Sequence, residues 1–248
     1  MYALFLDIDN TIYENDVSEG VANALSRAKD AGYKVFISTA RAYIGMPKEI
    51  YDLPVDGFIN SFGLEICLGG KFIHRAFIPR EKLLEIASFA YDNKVNMYFE
   101  GEIRVDINHD DPGERYPKSM EQFKEMLGDK KICKFIFYES PTDEQTKRFI
   151  NEFDLVGKEG IFKGYSKSFG INLVERYCGL PHDKTVAIGD SDPDIDMISY
   201  AGIGIAMGNA TTALMQCARY VTKSIQEDGV AYAIDCLLND NLEPLIKR

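Results

Sequence analysis

Short apolar runs alternate with amphipathic stretches at both ends of this chain, and that alternation limits the fold more than any other feature. "YALFLD", "YKVFIST" and "DGFINS" read as strands near the start, and "KTVAIGD" and "GIGIAM" as strands near the end. Helical patterns over "SEGVANALSRAKDAG" and "MPKEIYDL" separate the first group. Ser18 is placed to cap the first helix, and Gly32 falls where a helix-terminal glycine belongs. Further helices are read over "FGINLVERYCGL", from Pro193, and over "EDGVAYAIDCLLND". Strand, helix, strand in repetition predicts a parallel sheet with helices on both faces.

The middle of the chain breaks this rhythm. "LEICLGGKFIHRAF" predicts a hairpin turning at Gly69-Gly70, and "VNMYFEGEIRVDI" a second one turning at "EGE". Helices are read from Pro79 to about Asn93, over "KSMEQFKEMLG" and over "TDEQTKRFINEF", with a strand over "KICKFIFYES". No strand here ends in acids. The expectation is an α/β protein whose Rossmann-like parallel-sheet core comes from residues 1–77 and 164–248, with a separate α+β domain inserted at 78–163.

Composition removes several function classes. A net charge of −11 over 248 residues leaves no basic stripe to neutralise a nucleic-acid backbone. No run approaches the ~18 apolar residues of a membrane helix, and no basic leader precedes an apolar run at the start. The five cysteines are scattered without a C-x-x-C pair, which suits reduced thiols in a cytoplasmic compartment. Nothing in the sequence speaks to oligomeric state.

Ligands of open parallel sheets bind at the carboxyl ends of the strands. Three such ends are polar here, "LDIDNT", "STAR" and "IGDSDPD", and a fourth polar cluster, "YSKSF", precedes a helix. Residues two apart in an extended chain face the same way, so Asp7 and Asp9 can point together while Ile8 turns inward. One carboxylate of such a pair can attack while the other carries a proton. Asp190 joins from a neighbouring strand, with Asp194 one helical turn beyond. Carboxylates so crowded repel unless a hard cation sits among them, and an oxygen-only ligand set favours Mg²⁺ over zinc. Lys167 can offset the remaining charge, and Thr39 offers a hydroxyl to phosphoryl oxygens.

Other polar residues carry plainer readings. Arg41 could reach a substrate anion or bridge to an acid. His74, His109 and His182 make no metal-spaced pair, and "NHDDPGE" around Asp110 and Asp111 lacks the calcium-loop spacing. Tyr98, Glu100 and Arg104 are candidates for contacts made by the inserted domain. Asn209 in "MGNATT" is read as capping the following helix.

In order along the chain, "DIDNT", "STAR", Lys167 and "GDSDPD" resemble motifs one to four of the haloacid dehalogenase-like superfamily. The tail "IGIAMGNATTALMQCARYVTKSIQEDGVA" resembles the C-terminal signature of its Cof-type branch, and the insert resembles that branch's α+β cap. The resemblance implies Asp7 as nucleophile, forming an aspartyl-phosphate, and Asp9 as the acid that protonates the leaving oxygen and then activates water. It implies Mg²⁺ held by Asp7, Asp190 and the backbone carbonyl of Asp9, with Asp194 steadying the metal's water or Lys167. Thr39, Ala40, Arg41 and Lys167 would bind the substrate, and Thr11 would orient the turn carrying Asp9.

Three positions depart from that branch: Ala40 for Gly, Phe62 for Asn before Gly63, and Pro193 for Asn in "GDSDPD". Two amides are lost, and Phe62 could offer an apolar wall to substrate. The expected activity is Mg²⁺-dependent hydrolysis of a small phosphorylated metabolite such as a sugar phosphate, nucleotide or cofactor phosphate. The alternatives are a phosphomutase of the same superfamily and a non-catalytic metabolite-binding module.

Overall fold

The computed structural model describes residues 1–108, 116–147, 149 and 151–247. The fold is α/β, a Rossmann-like parallel core interrupted by an inserted α+β cap domain. The chain opens with β1 (Ala3–Leu6), buried at every position as a central parallel strand should be. α1 (Glu19–Asp30) buries Val21, Ala24, Leu25 and Ala28, the one-face spacing of an amphipathic helix. Ser18 caps it by accepting from the Val21 N–H at 3.1 Å, and Gly32 follows at φ 84°. β2 (Lys34–Ser38), α2 (Lys48–Tyr51) and β3 (Gly57–Asn60) follow. Past β3 the backbone makes an unusual left-handed turn at Ser61, Phe62 and Gly63. β4 (Glu65–Leu68) and β5 (Lys71–Arg75) then form a hairpin across Gly69 and Gly70, both at positive φ.

The insert carries α3 (Arg80–Asp92), β6 (Met97–Gly101), β7 (Arg104–Ile107), α4 (Met120–Leu127), β8 (Ile132–Phe137), α5 (Asp143–Lys147), β9 (Phe153–Val156) and β10 (Glu159–Phe162). Its strands form an antiparallel sheet in the order β7-β6-β8-β10-β9. Phe99, Phe123, Phe135, Phe137 and Phe153 fill its core against Leu83 and Ile86 of α3.

The chain then returns through α6 (Lys167–Cys178), β11 (Thr185–Gly189), α7 (Ile195–Tyr200), β12 (Ile203–Ala206), α8 (Thr212–Cys217), β13 (Tyr220–Val221), α9 (Gly229–Leu238) and β14 (Ile246–Lys247). The core sheet runs β14-β13-β12-β11-β1-β2-β3-β4-β5. Strands from β13 to β3 are parallel, while β4 and β14 pair antiparallel to their neighbours. β1 therefore lies between β11 and β2, at the point where the chain switches direction along the sheet.

The chain clusters into two compact units, one of residues 1–41, 46–74 and 166–248, the other of 42–45 and 75–165. The short segment 42–45 belongs with the insert, a grouping that no sequence motif signals.

Several local expectations need correction. Of the helix read over "TDEQTKRFINEF", the described residues give α5 alone, and Phe153 starts a strand. Phe149 and Phe153 mimic one helical face, but Phe153 stacks on Phe162 at 4.8 Å across a hairpin turning at Gly157. The "EGE" turn moves to Glu102 and Ile103, because β6 extends to Gly101, whose missing Cβ lets the Lys131 carbonyl approach. Lys167 does not precede a helix; it is the first residue of α6, capped by Ser166. His109 and the acids Asp110 and Asp111 lie outside the described residues.

Candidate active site

Asp7 follows the last residue of β1, and its N–H still bonds the Ile188 carbonyl of β11 at 3.0 Å. Asp190 follows β11, and Thr39 follows β2. Three adjacent parallel strands thus deliver their polar ends side by side.

The sharpest geometry belongs to Lys167. Its ammonium, on a side chain only 2% exposed, donates to Asp7 Oδ1 at 2.6 Å and to Asp194 Oδ1 at 2.5 Å. Asp194 is wholly buried, and its second oxygen accepts from the backbone N–H groups of Asp190 and Ser191, each at 3.1 Å. That folded-back position needs Gly189, where a Cβ would stand 2.6 Å from the Asp194 carboxyl carbon. Ser191 and Asp194 form a reciprocal capping box around Pro193, which opens the short turn before α7.

One oxygen from each of Asp7, Asp190 and Asp194 lies within 4.8 Å of the others. Three buried carboxylates face one ammonium, so the cluster carries excess negative charge. Burial, then Asp194, push the Asp7 carboxyl up to about 8 against the opposing pull of Lys167. Burial, then Asp194, push Asp190 up to about 6. Asp190 Oδ1 is buried without a hydrogen-bond partner. An orphaned buried carboxylate oxygen beside two further acids fits a hard divalent cation with oxygen ligands.

Asp9 is placed differently. Its carboxylate receives Arg41 Nε at 2.9 Å and Nη2 at 2.6 Å, a bidentate pair at a half-exposed position. Of the two readings open for Arg41, bridging to an acid is the one observed. Among the described residues, Asp194 joins Asp7 and Asp190 in the carboxylate cluster; the Asp9 carboxylate lies outside it but near enough to raise Asp190. Thr39 is buried, and its hydroxyl accepts from the Arg41 N–H at 3.1 Å; Ala40 between them is half-buried. The buried Thr11 hydroxyl has no partner, although its N–H bonds the Ile8 carbonyl at 3.2 Å in the turn carrying Asp9.

Residues 4–234 match the family described as haloacid dehalogenase-like hydrolase. The chain belongs to this family. It is a Cof-type member and a phosphoric monoester hydrolase, as the motif order implied. YkrA, a candidate phosphatase of Bacillus subtilis (strain 168), is 30% identical over 252 residues, covering 93% of this chain and 95% of YkrA. The 5-amino-6-(5-phospho-D-ribitylamino)uracil phosphatase YitU of the same bacterium is 24% identical, covering 93% of this chain and 95% of its own. Among solved structures, the subclass IIB sugar phosphatase BT4131 superposes with a TM-score of 0.77 at 26% identity, covering 96% of this chain and 99% of that one.

In this haloacid dehalogenase-like chain, Asn209 and Thr211 support the site in ways the sequence did not signal. Asn209 does not cap α8, because Thr211 does so by accepting from the Leu214 N–H. Instead Asn209 Nδ2 donates to the Asn10 carbonyl at 2.9 Å and Oδ1 accepts from the Ile225 N–H at 2.8 Å, tying the turn after Asp9 to the C-terminal segment. Thr211 also donates its N–H to the Asp190 carbonyl at 2.8 Å. Phe62, read as a wall for substrate, is itself buried at 2% exposure in left-handed backbone. Tyr98, Glu100 and Arg104 are engaged within the insert: Arg104 lies over the Tyr98 ring at 3.9 Å, and Glu100 pairs with buried Lys134 at 3.3 Å.

Among the described residues no helix is long and apolar enough to cross a membrane.

Proposed function

We propose that this phosphatase hydrolyses a small phosphorylated metabolite through an aspartyl-phosphate on Asp7, with Mg²⁺ as cofactor. The observation that carries the reading is the buried contact of Lys167 with Asp7 and Asp194 beside the unpartnered Asp190 oxygen.

In the first half-reaction an Asp7 carboxylate oxygen attacks phosphorus. The bond from phosphorus to the ester oxygen breaks, and Asp9 gives its proton to that oxygen, releasing an alcohol. In the second, Asp9 takes a proton from water, whose oxygen attacks phosphorus. The Asp7–phosphorus linkage breaks, and inorganic phosphate leaves. Lys167 and Thr39 hold the transferring phosphoryl oxygens, and Asp194 fixes the ammonium of Lys167 from behind. Arg41 restrains the Asp9 carboxylate and, with Ala40, borders the substrate. Asp7, Asp190 and the Asp9 backbone carbonyl would hold the cation, with Asp194 adjoining them; it would supply positive charge against the phosphoryl oxygens.

Substrate class follows from the relatives' chemistry. BT4131 is a sugar phosphatase, and YitU acts on a ribityl phosphate, so a polyhydroxylated phosphate ester is the proposed substrate. Phe62 and Pro193, replacing two amides, would shift its preference among such esters. The division into a core of 1–77 and 164–248 and a cap of 78–163 belongs to the same proposal, as does a cytoplasmic location.

A phosphate-release screen over sugar phosphates, nucleotides and cofactor phosphates, with and without EDTA, tests the reading. Release of inorganic phosphate in step with the dephosphorylated alcohol is expected, lost with EDTA and in Asp7→Asn. An isomerised phosphate ester with no inorganic phosphate would instead identify a phosphomutase.

A further inference from the structure

Ser61, Phe62 and Gly63 take φ of 49°, 57° and 86°. Consecutive left-handed residues are disfavoured wherever a Cβ is present, and a buried phenylalanine is a poor choice for one. Such a turn persists only where its surroundings over-determine it.

The turn is held by two segments of the site. On one side its N–H groups bond the loop after β2: Ser61 to the Arg41 carbonyl at 2.9 Å and Phe62 to the Thr39 carbonyl at 3.3 Å. Asn60 Nδ2 adds a third bond, to the Arg41 carbonyl at 3.3 Å. On the other side the turn touches the first turn of α6. A Cβ on Gly63 would lie 2.9 Å from the Ser166 carbonyl oxygen and 3.2 Å from the Gly170 nitrogen. Reciprocally, a Cβ on Gly170 would lie 2.3 Å from Ile59 Cγ2 and 3.4 Å from the Gly63 Cα. Two glycines therefore let helix backbone rest on turn backbone, in the same helical turn that aims Lys167 at Asp7 and Asp194.

We infer that the Ser61–Gly63 turn and Gly170 are positioning elements for phosphoryl transfer, fixing the separation between the Thr39–Arg41 loop and Lys167. This rests on the roles proposed above for Thr39 and Lys167. None of these positioning groups touches the reacting atoms; they act through the two groups that do. A seat widened by about 1 Å is enough to cost on the order of a hundredfold in rate.

The test compares wild type, Gly170→Ala, Ile59→Ala and the double variant, using p-nitrophenyl phosphate with Mg²⁺ well below each melting temperature. The added Cβ meets Ile59 Cγ2, so Gly170→Ala is expected to lower kcat by about ten- to a hundredfold. Removing Cγ2 in the double variant is expected to return kcat to within about threefold of Ile59→Ala alone, a non-additive rescue. A folded Gly170→Ala with wild-type kcat and KM overturns the inference, as does a double variant no better than Gly170→Ala. If Gly170→Ala does not fold, Ser61→Gly decides. It keeps left-handed φ accessible but loosens the turn, and kcat is expected to fall about fivefold or more while Tm moves by less than about 4 °C. Unchanged kcat in that variant overturns the inference. Wild type that releases no phosphate sinks the reading of the site instead, and is told apart by failing before any substitution is made.

Discussion

Arg41 clasps Asp9 through two parallel hydrogen bonds, Nε to Oδ2 at 2.9 Å and Nη2 to Oδ1 at 2.6 Å. A guanidinium makes this fork and an ammonium does not. Arg41→Lys is expected to keep the charge, lose the restraint on Asp9, and lower kcat by about tenfold with a smaller change in KM. Steady-state kinetics on the best substrate of the screen checks it. A change confined to KM would mean that Arg41 acts on substrate alone.

The acid cluster predicts a metal effect that can be read without turnover. With the proposed cation site, Mg²⁺ at about a hundred times its dissociation constant should stabilise the folded chain by about 2.7 kcal/mol, the assembled carboxylates being absent from the unfolded chain. A thermal melt with increasing Mg²⁺ should show a rising midpoint in wild type. In Asp190→Asn, which removes a charge from the unpartnered oxygen's carboxyl group, the rise should largely vanish.

Gly189 is expected to tolerate no side chain. A Cβ there would meet the buried Asp194 carboxyl at 2.6 Å and displace the partner of Lys167. Gly189→Ala should cost about a hundredfold or more in kcat. Circular dichroism would establish that the sheet persists, and a folded variant with full activity would refute the supporting role of Asp194.

Acid stability should depend on Asp56, far from the reacting groups in function. Burial alone would raise its pKa, but Lys29 at 2.5 Å, the Val35 N–H at 2.9 Å and Lys34 at 3.1 Å hold the carboxyl below its usual range. The unfolded chain then takes up the proton first on acidification. The stabilisation is complete above the unfolded carboxyl's pKa, near 4, and drains away as pH falls through the lower folded value. Asp56→Asn should lose about 2 kcal/mol at pH 7 relative to wild type, and urea titrations should show the gap closing towards pH 3.

The legible parts of the molecule were those governed by local chemistry. Ser18 announces a cap, Gly69-Gly70 a hairpin, and Asp7, Lys167, Asp190 and Asp194 are acids and a base at strand and helix ends where solvation alone would not gather them. What escaped depends on distant partners. Asn209 looks like a cap because its bonds to Asn10 and Ile225 join segments remote in sequence. The β9–β10 hairpin was hidden because Phe149 and Phe153 have helical spacing. The left-handed turn at Ser61 and Phe62 has no local signal, since neither residue favours that backbone. Arg41 offered two partners, and its pair with Asp9 shows only once the two segments are brought together.

β1 is flanked by β2, made soon after it, and by β11, made most of a chain later. A nascent polypeptide stalled inside the insert would already own Asp7, the proposed nucleophile, yet lack the ammonium on α6 and the acids after β11. It would also present a naked apolar strand edge to its neighbours. Every residue up to Asp194 must therefore be made before the proposed site can assemble, and the interval until β11 docks is when the newborn chain has most need of a chaperone's shelter.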